Sequence, residues 1–230
     1  MAGFAYSDEI VARFPTIRGG VLHATGLTNG PAPEPLTAEY LAQQQATIEW
    51  IGKTPLAEIP SIAAWRRVFS AFGVKPTQYR NAAEALLRRL TKRGDIPSIN
   101  LLVDVANLVS IRYALPVAVF DQREVTGTTE VRFADGSERF NDLGSDGAEV
   151  HPDEGEVIFV DDAGLVSARR WCWRQSAQSA ARPETTEAII TVEGHHENAA
   201  VDVQAAVTDL ADLLGRYNPD ARVEILEPRH

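Results

Sequence analysis

The apolar period of this chain changes at Pro116, and that switch constrains its fold more than any other feature. Upstream, apolar residues recur at helical spacing: Leu86, Leu87 and Leu90 in one segment, Leu101, Leu102, Val105, Leu108 and Val109 in the next. Downstream the period becomes two. Pro116–Phe120, Glu130–Phe133, Val157–Val160, Gly164–Val166 and Ala188–Glu193 read as strands separated by Gly and Asp turns. Helices grouped apart from strands, with no linker or repeat between them, predict one compact α+β domain over residues 1–230. Its helices would pack on a mixed, largely antiparallel sheet.

The remaining elements follow from local signals. Ile10–Phe14 and Gly20–Ala24 are strand-like runs, and Thr28–Pro35 is a loop. A helix is expected from Thr37, as N-cap, toward Gly52, burying Leu41, Ile48 and Ile51; another spans Ile59 to Phe72 and stops at Gly73. Asn81-Ala82-Ala83-Glu84 has the form of a capping box, and Gly94 ends that helix. Ala199–Tyr217 is amphipathic, with Val201, Val203, Ala206, Val207, Leu210, Leu213 and Leu214 toward the core, and Val223–Leu226 is a last strand. On the Ile99–Tyr113 helix, Asn100, Asp104 and Asn107 share a face distinct from the leucine stripe. They could be solvated, cap loops or line a pocket.

Charge bears on partners. The net charge of −10 disfavours indiscriminate binding to nucleic acid, so no DNA partner is expected. The charge is unevenly spread, however. Residues 65–94 carry Arg66, Arg67, Lys75, Arg80, Arg88, Arg89, Lys92 and Arg93 against Glu84 alone, while 121–162 carry thirteen acids against three arginines. One face could meet RNA while the other repels it, or the basic residues are a solvated helix face. No stretch approaches the eighteen apolar residues of a membrane span. The start, Met1-Ala2-Gly3-Phe4, has no basic segment ahead of an apolar one, so a secretory signal is not expected and a cytoplasmic protein is the simple reading.

Several chemistries lack their motifs. There is no phosphate-binding G-x-x-x-x-G-K-[ST], no G-x-G-x-x-G, no G-x-S-x-G and no H-E-x-x-H. His23, His151 and His230 are isolated, and the adjacent His195-His196 would point to opposite faces of a strand, so no metal site or cofactor is expected. Cys172 is the single cysteine, which excludes an intrachain disulfide; it is read as a small buried hydrophobe or, in its cationic setting, as a reactive thiol. Read as a strand, Arg169–Gln175 places Arg169, Trp171 and Trp173 on one face and Arg170, Cys172 and Arg174 on the other. Arg beside Trp suits RNA ends, but the tryptophans could equally be core.

A set of ordered motifs resembles one family. Phe72–Pro76, Tyr79–Arg89, Pro97–Asn100, Val103-Asp104-Val105-Ala106-Asn107 and Leu115–Asp121 are together similar to the B3/B4 tRNA-editing domain of phenylalanyl-tRNA synthetase β subunits. Val-Asp-x-x-Asn and the following Pro-x-x-x-Phe-Asp resemble the synthetase itself. The Phe-Gly, Tyr-Arg-x-x-x-Glu and Arg-Arg-Trp-x-Trp-Arg-Gln elements are more like free-standing members. The motif-bearing core covers about residues 65–195, with an N-terminal extension, 1–60, and a C-terminal helix and strand, 198–227, packed on it.

That resemblance implies a trans-acting deacylase that hydrolyses a mischarged aminoacyl-tRNA, with the aminoacylated 3′ end of tRNA as partner. A tRNA-binding module without hydrolysis, or a small-molecule amidase or esterase, is the alternative. By the family pattern Asn107 matches a polar pocket residue, and Glu193 the glutamate that recognises the misattached side chain. Asn100 or Asp104 would sit near the rim and Arg170 or Arg174 at the mouth; Arg80, Arg88, Arg89, Lys92, Arg93, Arg170, Trp171 and Arg174 would meet tRNA. Two departures bear on specificity: Ala118 stands where the synthetase has histidine, and Arg169–Arg174 replaces a glycine-rich strand. Which amino acid, which tRNA and what oligomeric state are left open.

Overall fold

The structure, a computed structural model, describes residues 3–143 and 149–229; Met1, Ala2 and His230 lie outside them. From the N-terminus run β1 (Gly3–Tyr6), α1 (Asp8–Arg13), β2 (Arg18–Thr25), α2 (Glu34–Ile51), α3 (Pro60–Ala71), α4 (Ala82–Arg93) and α5 (Leu101–Tyr113). Then follow β3 (Val117–Asp121), β4 (Thr128–Phe133), β5 (Phe140–Asn141), β6 (Glu149–Val150), β7 (Val157–Val160) and β8 (Val166–Arg169). The chain continues through β9 (Arg174–Gln175), β10 (Glu187–Gly194), α6 (Ala199–Tyr217) and β11 (Arg222–Leu226).

Caps decide several helix starts. Ser7, Asn81 and Asn100 hold extended backbone and accept from the amides of Ile10, Glu84 and Val103. Ser7 overturns one expectation: Ile10–Phe14 is not a strand, because the cap and the acids Asp8 and Glu9 in the first turn favour a short helix. The Glu84 carboxylate does not reach back to its cap; it is buried and bonds Arg66 Nη1 at 2.7 Å. Helix α2 starts before Thr37, at Glu34, with Pro35 in its first turn. It buries Leu36, Tyr40, Gln44, Thr47 and Ile51, leaving Leu41 57% exposed. Val201 on α6 is likewise exposed.

Two larger sheets form among the described residues. One has the order β1-β4-β7-β8-β9, with β1 parallel to β4 and the other pairs antiparallel; the second, β11-β2-β10-β3, is antiparallel throughout. The fold is therefore α+β, as the change of period implies. Within it β10 is a shared wall. Ala188, Ile190 and Val192 face a core with Leu22 of β2, Leu102 and Val105 of α5, and Val207 and Leu210 of α6. Ile189 faces a second core with Phe120, Val21, Trp65 of α3 and Phe159 of the other sheet. The alternation of a strand with two buried faces separates the cores. Among the described residues no helix is long and apolar enough to cross a membrane.

Candidate functional site

A cavity of about 140 Å³ opens between the two sheets. Ala118 and Phe120 of β3 and Thr191 and Glu193 of β10 form one wall; Phe159 and Ala168 face them, and residues 171–175 close a side. An apolar cavity on the order of 150 Å³ is enough to admit a benzene ring. Glu193 is the acid in this lining, 2% exposed. Its Oε1 accepts from Tyr6 Oη at 2.8 Å and Trp171 Nε1 at 3.0 Å. Burial pushes its carboxyl up to about 7, against the pull of those two donors.

The turn carrying Trp171 is not the strand expected. Pairing between β8 and β9 stops at Arg169 opposite Arg174, and residues 170–173 reverse the chain. Arg170 and Trp171 take φ of 45° and 59°, the left-handed region that non-glycine residues avoid. The buried Glu156 carboxylate offsets that strain: it accepts two bonds from the Arg169 guanidinium and one from the Arg170 amide at 3.0 Å. The turn sends Trp171 inward against Phe14, Trp65 and His195, fully buried. Trp171 therefore presents no face to RNA. Cys172 borders the cavity, and burial and the Glu193 charge push its thiol well above the usual range, away from the thiolate.

Trp173 takes the position expected of Trp171. It is half-buried, lies edge-on to Tyr79 at 4.8 Å, and lines the cavity together with Arg174. The same two residues line an adjoining open groove of about 470 Å³, with Arg80, Arg88, Arg89, Lys92 and Arg93. Helix α4 forms one side of this groove because its buried stripe, Ala83, Leu87 and Leu90, turns Arg88, Arg89, Lys92 and Arg93 outward; Arg80 precedes the helix, 3.7 Å from Glu84. Arg88, Lys92 and Arg93 have no ion-pair partner among the described residues. Arg174 is held by Asp142 at 2.6 Å. Arg170 instead lines a neighbouring depression with Glu156, its guanidinium over Tyr79 at 4.2 Å.

The α5 residues do not join Glu193. Asn100 caps the helix and donates to Ala181 O; buried Asp104 accepts from Ser98 and from the Ile99 amide at 2.9 Å. Asn107 lies beside the Tyr40 hydroxyl of α2. Helix α5 packs on the Ile190–Val192 face of the sheet, whereas Glu193 points to the other. The pocket expected to hold both is divided by that sheet. The two adjacent histidines also part: His195 is packed edge-on to Trp65 at 4.5 Å, while His196 pairs with Asp202 at 2.8 Å.

Residues 64–212 match the family model of the B3/4 domain. This chain belongs to the B3/4 domain family. Among its relatives are phenylalanine–tRNA ligase β subunits. That of Shewanella oneidensis is 31% identical over 90 residues, 39% of this chain and 11% of the relative; that of Nitrobacter winogradskyi is 29% identical over 142 residues, 62% and 16%. The chain thus spans a small part of the curated relatives it matches. Its fold is similar to the crystal structure of an N-terminal fragment of the phenylalanyl-tRNA synthetase β subunit from Pyrococcus horikoshii. There the TM-score is 0.50 at 11% identity, covering 96% of this chain and 50% of that one. The cavity lining and basic groove of this B3/4 domain fall within the matched segment; Tyr6, which bonds Glu193, does not. No local sequence signal marks Tyr6, because its contact spans 187 residues.

Proposed function

We propose that this B3/4 domain binds the aminoacylated 3′ end of a tRNA and hydrolyses the ester of a misattached amino acid. The observation that carries this reading is the junction of the enclosed cavity and the cationic groove at Trp173 and Arg174. Exposed cations suit phosphates, which position a strand without reading it. The cavity beside them suits an amino-acid side chain, with Glu193 at hand for a group that donates a hydrogen bond. The names of the relatives, tRNA ligase subunits, support the same partner.

In the reaction, water adds to the ester carbonyl, the bond to the ribose oxygen breaks, and free amino acid and a ribose hydroxyl result. Cys172 is protonated and Glu193 already accepts two bonds, so catalysis rests on holding ester and water in register. A second reading, binding without hydrolysis, is favoured by that protonated thiol. A panel of mischarged tRNAs separates them. Ester loss supports hydrolysis, retention with measurable binding supports the binder, and the absence of both cleavage and binding overturns the tRNA reading. A simple amino-acid ester cleaved as fast as the tRNA-linked one marks a small-molecule esterase.

A further inference from the structure

Strand β1 places Tyr6, 2% exposed, against the end of β10. Its backbone is fixed on both sides: β1 pairs with β4, and the Tyr6 amide donates to Arg229 O at 3.0 Å. The phenol reaches Glu193 across β2 at Gly19, the residue paired with Glu193 in the sheet. A Cβ on Gly19 would stand 2.2 Å from Tyr6 Oη and 3.0 Å from two ring carbons. Glycine is required there for space, since any side chain would expel the hydroxyl. Tyr6 and Trp171 both donate to Oε1; the described residues give Oε2 no hydrogen bond. Trp65 Nε1 completes the setting by donating to the Glu193 main-chain oxygen at 3.4 Å.

We propose that Tyr6 is a positioning residue for Glu193, pinning Oε1 so that Oε2 serves the cavity, with Gly19 as the gap that admits it. The site is then completed by two residues outside the family-matched segment 64–212. The titratable groups coupled to Glu193 are Tyr6 from β1 and Cys172 from the turn, both pushed up by burial and neutral. With Oε1 committed, a ligand meeting Oε2 is selected for a hydrogen-bond donor, because an analogue without one leaves a buried carboxylate oxygen unpaired. That consequence for substrate choice rests on the function proposed above.

The test reads the carboxyl directly. The infrared carbonyl band that disappears in Glu193→Gln is titrated in wild type, Tyr6→Phe and Gly19→Ala. Removing a donor to the ionised form should raise the midpoint by about one pH unit in both variants. A folded Tyr6→Phe protein with the wild-type midpoint overturns the proposal. If these variants do not fold, 3-fluorotyrosine placed at position 6 keeps the shape and strengthens the donor, so the midpoint should fall; an unmoved midpoint again overturns it. This arm uses no tRNA, so its failure is separate from failure of the mischarged-tRNA panel. Where the panel does show cleavage, Tyr6→Phe should narrow the preference between amino acids with and without a side-chain hydroxyl. An unchanged preference overturns the selective role of Oε2.

Discussion

Trp171 donates to Glu193 Oε1 over 3.0 Å from a turn in which Trp171 itself is left-handed at φ 59°. The indole is thus a structural donor seated in a core. Trp171→Phe keeps a ring but loses the donor and leaves a void, so it should destabilise the fold by roughly 1–3 kcal/mol. Urea unfolding measures this. Affinity for tRNA should stay within error of wild type; a large loss would return Trp171 to the RNA interface.

The pH dependence of stability should carry the mark of Glu193. In the unfolded chain this carboxyl ionises near 4.5, and in the folded chain near 7. Between those values the native state binds more protons, so stability falls as pH rises and levels off above about 7. Glu193→Gln removes this component. The variant should gain on wild type by roughly 3 kcal/mol between pH 4.5 and 7, read from urea midpoints at several pH values. His195, pushed down to about 3 by burial, acts oppositely in both proteins, costing stability as pH falls below about 6.5.

Reversal of Arg88 and Arg89 to Glu should weaken charged and uncharged tRNA alike. Both side chains are exposed along the groove of α4. Each phosphate that is no longer neutralised should flatten the log–log dependence of affinity on salt by about one. Filter binding across a salt series gives the slope, and equal slopes for variant and wild type would make these arginines a solvated face.

Glu193→Ala should alter which amino acid is released far more than it alters tRNA affinity. The carboxylate lines the cavity, whereas the cations proposed to meet the tRNA backbone line the groove beside it. Deacylation rates across the mischarged panel, set against binding of uncharged tRNA, distinguish the two effects.

Cys172 should behave as an inert thiol. Its raised pKa leaves little thiolate at neutral pH, so alkylation should be much slower than for a simple thiol. Cys172→Ser should retain ester cleavage. Loss of cleavage, with the fold intact, would restore the nucleophile reading.

Local chemistry makes much of this fold legible. The Asn81 and Asn100 caps, the αL end at Gly94 and the two-residue alternation of β10 all follow from residues near one another in sequence. The basic residues of α4 are legible for the same reason, since one helix face gathers them. At Ser7 a three-residue capping signal competes with a strand-like run, and the cap prevails. Arg169–Gln175 alternates as a strand would, yet Glu156, a long-range partner, stabilises a reversal there. Asn107 and Glu193, expected in one pocket, lie across a sheet from each other, which no single segment encodes.

The two-sided burial of β10 also guards the register of the fold. A one-residue slip of this strand would exchange its faces, carrying Glu193 toward Val207 and Leu210 and turning Val192 to the cavity. An acid without its tyrosine and indole donors would then sit in a leucine core, at a cost of several kcal/mol. The acid that lines the cavity thus also penalises the nearest misfolded pairing. Exchanging Glu193 for an apolar residue would remove that penalty.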